Sequence, residues 1–426
     1  MALVLLLLCA FFSCATFDEQ HPGGLAGGQQ LASEIVARFG PDTSVLVVAR
    51  DISEDSLFAD TVNQHLTATG FHVLAVVKGE PADARQALQE IVDNGQSLDV
   101  VAANNVTAGW SVYDKWEELE SVAIVTPASY RWPDFLKVDN LRNITDQIAV
   151  IAIIAIGMTM VIITAGIDLS VGSLIALSAV VAAWSIQYLA GAEQASTGGM
   201  IMAGGGAIAI CAAVGLFSGT MIIAFGMPPF IVTLAMMLVA SGLAYLIAAG
   251  ESIYQLPDSF TWLGRGTTLR IPNAVLLMIA LYAAAHVMMT RTTLGRYIYA
   301  VGGNAEAARL SGVRVKRILL IIYTISGGLA GLGGVVMASQ LKSGSPTYGQ
   351  MYELYVIAAV VVGGTSLAGG EGRILGTLIG AFIIAVIQNG MNLTNVESYT
   401  QKVVLGLVIL GAVLLDTFKR QGLRVA

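Results

Sequence analysis

The feature that most constrains this chain is a series of long segments without a charged side chain. Residues 147–167 and 169–192 carry none and are separated only by Asp168, while 194–250 is uncharged throughout. A bilayer core about 30 Å thick is crossed by roughly 20 apolar residues in a helix, so each segment is long enough to span it. Met227-Pro228-Pro229 divides the third into two helices, because the residue before a proline is disfavoured in the helical region. Further spans fit 272–290, 318–341, 354–371, 374–394 and 400–418, and the apolar run Ala2 to Phe17 adds one more, giving ten. Charged residues are 12% of the chain, about half the ordinary globular share. The net charge of -7 says little about partners, because orientation follows the local placement of Lys and Arg.

Ten spans with the N-terminus inside place 18–146 and 251–271 outside, and 291–317 and the C-terminus inside. Arg291, Arg296, Arg314, Lys316 and Arg317 lie in the inner loop, and Lys419, Arg420 and Arg424 at the inner end, as the positive-inside rule requires. Residues 1–17 read either as a first transmembrane helix or as a signal-like segment, although no basic region precedes the apolar run. Both readings put residues 18–135 outside. Residues 421–426 form a short cytoplasmic tail.

The inner loop holds a helix signal. Asn304 is suited to an N-cap, Glu306 falls in the first turn, Arg309 lies near the last, and Gly312 is placed to stop the helix. The segment supports only about two turns, too few for stability alone, so it must rest on the bundle. With Leu310 on it, this rigid cytoplasmic helix within loop 291–317 is a surface on which a partner could push.

Residues 18–135 have a different composition. Strand-like runs at 44–49, 71–77, 98–103 and 122–126 alternate with helix-like runs at 56–69 and 82–94, which implies a small parallel-sheet α/β domain. The fold class is therefore an all-α polytopic membrane protein of about ten transmembrane helices, residues 136–420, with an inserted extracytoplasmic α/β domain.

Asp168 is the lone acid in a long apolar stretch, and intramembrane ionisable residues are functional candidates. It also precedes a helix start, where it would cap free N–H groups. Ser170, Ser173 and Thr164 offer hydroxyls nearby, and Gln388, Asn389 and Asn392 offer amides on the ninth span; hydrogen bonding between helices explains the amides equally well. Gly215/Gly219, Gly327/Gly331 and Gly376/Gly380 have the spacing of close helix packing. Cys9, Cys14 and Cys211 and the four histidines form no metal-ligand pattern, so no metal site is expected. No catalytic triad or carboxylate pair is present to support an enzyme reading. Without a GxxxxGK[ST] loop, no cofactor is expected on this chain, and ATP with Mg must be handled on a partner chain if ATP drives it.

Four stretches together resemble ABC-transporter permeases of the ribose/xylose/galactose type. They are Gly157-Met-Thr-Met-Val-Ile-Ile-Thr-Ala-Gly-Ile-Asp-Leu-Ser-Val-Gly-Ser173, Gly226-Met-Pro-Pro-Phe-Ile-Val-Thr-Leu234, Ala300 through Gly312, and Tyr352-Glu-Leu through Gly363-Gly-Thr-Ser-Leu-Ala-Gly-Gly370. The resemblance spans about 136–420 and implies a paired permease, a homodimer or two related chains, in the bacterial inner membrane. It implies partners: an ATP-binding subunit inside and a sugar-binding protein outside, with no nucleic acid. It also implies that Glu306 to Gly312 is the helix coupled to the ATPase. The related branched-chain amino acid or nucleoside permeases, and a membrane-anchored receptor, are the alternatives. Family members have only a short stretch where this chain carries 18–135, and 84–105 is similar to one lobe of the periplasmic sugar-binding-protein fold.

Overall fold

The computed structural model describes residues 1–113 and 122–424, so the last two residues of the 421–426 tail lie outside the described residues. The chain divides into two compact units, Met1–Thr16 with Asp134–Ala426, and Phe17–Pro133.

Helix α1 (Ala2–Ala15) belongs to the first unit. Its Phe12 is buried, stacks on Phe135 at 6.2 Å, and fills a notch that Gly390 leaves open, where a Cβ would stand 2.3 Å from the ring. Thr16 accepts the amides of Asp134, on its carbonyl, and Phe135, on its hydroxyl.

The second unit runs β1 (Phe17–Gln20), α2 (Gly24–Arg38), β2 (Ser44–Ala49), α3 (Ser53–Ala68), β3 (His72–Lys78), α4 (Pro81–Asp93), β4 (Val100–Ala103), β5 (Ala123–Val125) and β6 (Tyr130–Pro133). Strands β3-β2-β4-β5 form a parallel sheet. Side chains of β2 alternate between faces: Val45 and Val47 pack with Leu31 of α2 and Phe58 of α3, while Leu46 and Val48 pack with Leu88 of α4. Helix α2 and the antiparallel pair β1–β6, which brings entry and exit of the unit side by side, were not among the expected elements.

The first unit resumes with α5 (Val138–Ile163), α6 (Val171–Leu189), α7 (Thr197–Phe225) and α8 (Pro229–Ile247). A small hairpin, β7 (Thr267–Thr268) and β8 (Ile271–Pro272), leads into α9 (Asn273–Arg291). Then come α10 (Thr293–Gly303), α11 (Ala305–Leu310), α12 (Val315–Leu341), α13 (Tyr352–Val362), α14 (Ile374–Leu393) and α15 (Ser398–Arg424). Among the described residues seven helices are long and apolar enough to cross a membrane: α5 to α9, α12 and α14. The count of ten is not reached by length, because α1, α13 and the apolar part of α15 (Ser398–Leu414) are shorter. The expected span 354–371 stops at Val362. Beyond it Gly364, Gly369 and Gly370 take φ of +91°, +84° and +76°, a left-handed backbone that turns the chain instead of continuing a helix.

Helix α5 is enclosed by the others, and α12 lies against α5, α6 and α7. The α7–α12 contact is backbone against backbone. A Cβ on Gly215 would sit 2.1 Å from the Tyr323 carbonyl oxygen, and one on Gly327 2.3 Å from that of Cys211. Gly215→Ala must push the helices apart, and overpacking of this kind costs about 1–3 kcal/mol. The thermal unfolding midpoint of the solubilised protein is expected to fall, whereas Gly406→Ala on α15, with nothing within 4 Å, is expected to keep or raise it, because alanine favours helix over glycine.

Candidate functional site

Two interruptions in the helices build the site. The first lies between α5 and α6. Ala165 takes a φ of +59°, unusual for a residue with a Cβ, and the chain then runs without helix to Ser170. Asp168, 1% exposed, holds this break together. Its Oδ1 accepts the Ser170 amide at 3.0 Å and the Ser170 hydroxyl at 2.6 Å, and its Oδ2 accepts the Ser326 hydroxyl at 2.8 Å. Ser326 lies eleven residues into the 27-residue α12, about 16 Å along a helix of roughly 40 Å. The break therefore sits beside the middle of α12.

The second interruption is 343–351, between α12 and α13. It starts after Lys342 (φ +52°) and ends at Met351 (φ +64°). Gly349 (φ +71°) presses on α6, where an added Cβ would lie 2.3 Å from the Gly172 carbonyl oxygen. A Cβ on Gly172 would in turn lie 2.2 Å from Glu353 Oε2. The N-termini of α6 and α13 thus meet. A cleft of about 310 Å³ opens there, with Ser173, Ser241, Tyr348, Gln350 and Glu353 among its lining. Helix N-termini carry partial positive charge, and the Glu353 carboxyl in the first turn of α13 offsets it. The lining contains one acid and no Lys, Arg or His.

The inner loop forms α11. Asn304 Oδ1 accepts the Ala307 amide at 2.9 Å, and Arg309 bonds Glu306 through Nε (3.0 Å) and Nη2 (2.5 Å). That guanidinium holds the exposed Glu306 carboxyl below its ordinary range, so the pair stays ionised until the pH falls through the lowered value. Ala308 is buried, Leu310 is 76% exposed, and Gly312 turns the chain at φ +85° toward α12. Just before α11, Gly302 packs on the end of α5: a Cβ there would stand 1.7 Å from the Ile163 carbonyl oxygen, which accepts the Gly370 amide at 2.8 Å. Tyr299 of α10 donates to Gly372 O at 2.8 Å. The loop is thereby seated on the chain that leads into the first break.

Of the candidates that the sequence pattern singles out, Asn304, Glu306, Arg309, Leu310 and Gly312 come together at α11, and Asp168, Ser170 and Ser173 at the break, where Ser173 alone lines the cleft. Thr164 turns inward to donate to Val161 O. The α14 amides do not line the cleft. Asn389 exchanges two hydrogen bonds with Asn140 of α5, at 3.1 and 2.7 Å, and Asn392 accepts from Gln401 of α15, so these two link helices; Gln388, half-buried on the same helix, is also away from the cleft. Glu353, Gln350, Tyr348 and Ser241 were not anticipated. Glu353 gave a signal of the same kind as Asp168, an acid at the edge of an apolar run.

Residues 140–413 match a family described as the permease component of the branched-chain amino acid transport system. The chain belongs to this permease family. The ribose import permease protein RbsC of Escherichia coli K12 is 46% identical over 303 residues, covering 70% of this chain and 91% of its own length. RbsC of Bacillus subtilis 168 is 43% identical over 297 residues, covering 67% and 87%. The D-allose transport system permease protein AlsC of Escherichia coli K12 is 38% identical over 285 residues, covering 66% and 84%. No solved structure matches the chain. Both breaks and α11 fall inside the family match, and residues 17–133 of the permease fall outside it.

Proposed function

We propose that this permease forms the membrane path for a neutral monosaccharide in an ABC importer. A sugar-binding protein delivers the substrate from outside, and ATP is hydrolysed on a separate subunit docked at α11. The observation that carries the reading is the cleft where two helix N-termini meet. Discontinuous helices that meet near the middle of a membrane are a recurrent way to build transporter sites, because unwound backbone and helix ends supply polar groups without lipid exposure. Its volume of about 310 Å³ lies at the lower end of ligand pockets, which run from roughly 300 to 1,000 Å³, and suits a small solute. Hydroxyl and amide groups from Ser173, Ser241, Tyr348 and Gln350 match a polyol. Uncharged hydroxyl and amide groups outnumber the single acid in the lining, which favours the sugar reading. The relatives named for ribose and allose point the same way.

In this reading α1, α13 with its approach 343–351, and α15 complete ten crossings of a bacterial inner membrane. The N-terminus and α11 face the cytoplasm, residues 17–133 lie outside, and a second permease copy completes the channel. Closure of the ATP-binding subunits displaces α11. Gly302 leaves no slack against Ile163, so the displacement passes to the end of α5, then through Asp168 to α12 and to the end of α6 that floors the cleft. Access then alternates between the two sides. Two variants test the path in proteoliposomes containing all subunits. Ser241→Trp fills the cleft and should abolish sugar uptake with ATP hydrolysis still measurable, and Leu310→Glu should leave hydrolysis uncoupled from uptake. Normal uptake by both would refute the reading.

For residues 17–133 we propose an accessory lobe that engages the binding protein or its sugar. Its polar cleft, about 480 Å³, is lined by Asn105 and Thr126 from loops that follow β4 and β5, with Glu19 and His21. These loops leave the carboxyl ends of parallel strands, where α/β sheets carry their ligand sites. Deleting 25–128 should weaken the affinity for the binding protein and lower uptake; unchanged values for both would make the lobe a passive insertion.

A further inference from the structure

Tyr323 is among the largest fully buried side chains, yet its hydroxyl has no hydrogen-bond partner among the described residues. A buried hydroxyl without a partner costs stability, so its presence calls for a reason. Its position supplies one. Tyr323 stands on α12 three residues before Ser326, the residue that holds Asp168. An added Cβ on Gly166 would be 2.5 Å from the Tyr323 oxygen, so the hydroxyl rests on the backbone two residues before Asp168. It is also within electrostatic reach of the Asp168 carboxylate.

We propose that the Tyr323 hydroxyl is the alternate partner of Asp168, and that the permease changes state by exchanging Ser326 for Tyr323 as the break shifts locally against α12. Tyr323 and Ser326 lie three apart on one face of α12, so the break can reach either hydroxyl without a change of helix register. The helix itself keeps its register, because Gly215 and Gly327 hold the α7 and α12 backbones in contact and the Cβ atoms of Cys211 and Tyr323 lie in the same seam. The carboxylate remains hydrogen-bonded at both ends of the movement, and Ser170 travels with it on the same segment. Each end state is thus discrete. This inference rests on the importer reading and adds the two hydrogen-bonding states between which the break moves.

The test uses the full transporter with Cys9, Cys14 and Cys211 replaced by Ala and Ser241→Cys as a reporter of cleft access. Ser326→Ala removes the partner of the present state, and Tyr323→Phe removes that of the other. The rate of labelling by a membrane-impermeant thiol reagent should shift in opposite directions in the two variants, by about fivefold each, the equilibrium equivalent of one hydrogen bond. Tyr323→Phe should also lower kcat for ligand-stimulated ATP hydrolysis with KM for the binding protein unchanged. An idle hydroxyl predicts the reverse for Tyr323→Phe: a more stable protein with wild-type labelling and kcat. That result, or shifts in the same direction, overturns the exchange. Labelling is read on the permease itself, so a wild-type protein that failed to import sugar would count against the importer reading, while the labelling would still decide the exchange.

Discussion

A helix end buried in a packed bundle leaves backbone groups with no water to satisfy them, and Asp168 is the group that makes such an end possible here. One carboxylate accepts the first free amide and hydroxyl of the segment leading into α6 and, on its other oxygen, a hydroxyl of α12. A carboxyl group buried this deeply is costly unless its oxygens are hydrogen-bonded, and three donors reach them. The same bonds fix where α6 begins, which places Gly172 and Ser173 opposite the start of α13 and so shapes the cleft.

Glycine does the complementary work. Where the mechanism needs backbones to touch, at Gly302 on Ile163, Gly349 on Gly172, and Gly215 and Gly327 between α7 and α12, a Cβ would fall at 2.3 Å or less from a carbonyl oxygen. Such contacts transmit displacement directly, because no flexible side chain lies between. The loop that bears α11 is therefore connected to the cleft through main-chain contacts and one buried carboxylate.

How much of this can be read from residue order follows the range of the interactions. The cap, ion pair and terminating glycine of α11 act within nine residues, so Asn304, Glu306, Arg309 and Gly312 announce the helix through local pattern alone. The importance of Asp168 is legible because nothing else in its neighbourhood is charged, but its partner Ser326 is 158 residues away and one serine among many. The segment 343–351 has the composition of an external loop, so its descent to the cleft with Tyr348 and Gln350 could not be anticipated. The amides of α14 fit two readings in the sequence, a path or a link between helices. Their polarity in an apolar helix drew attention, yet Asn389 is spent on Asn140 and Asn392 on Gln401.

The most direct measurement is ligand-stimulated ATP hydrolysis by the permease reconstituted with its ATPase subunit and binding protein, screened across sugars, amino acids and nucleosides. A neutral, polyol-lined cleft with one compensating carboxylate predicts stimulation by a pentose or hexose. Stimulation by an amino acid or a nucleoside, with none by any sugar, would contradict it.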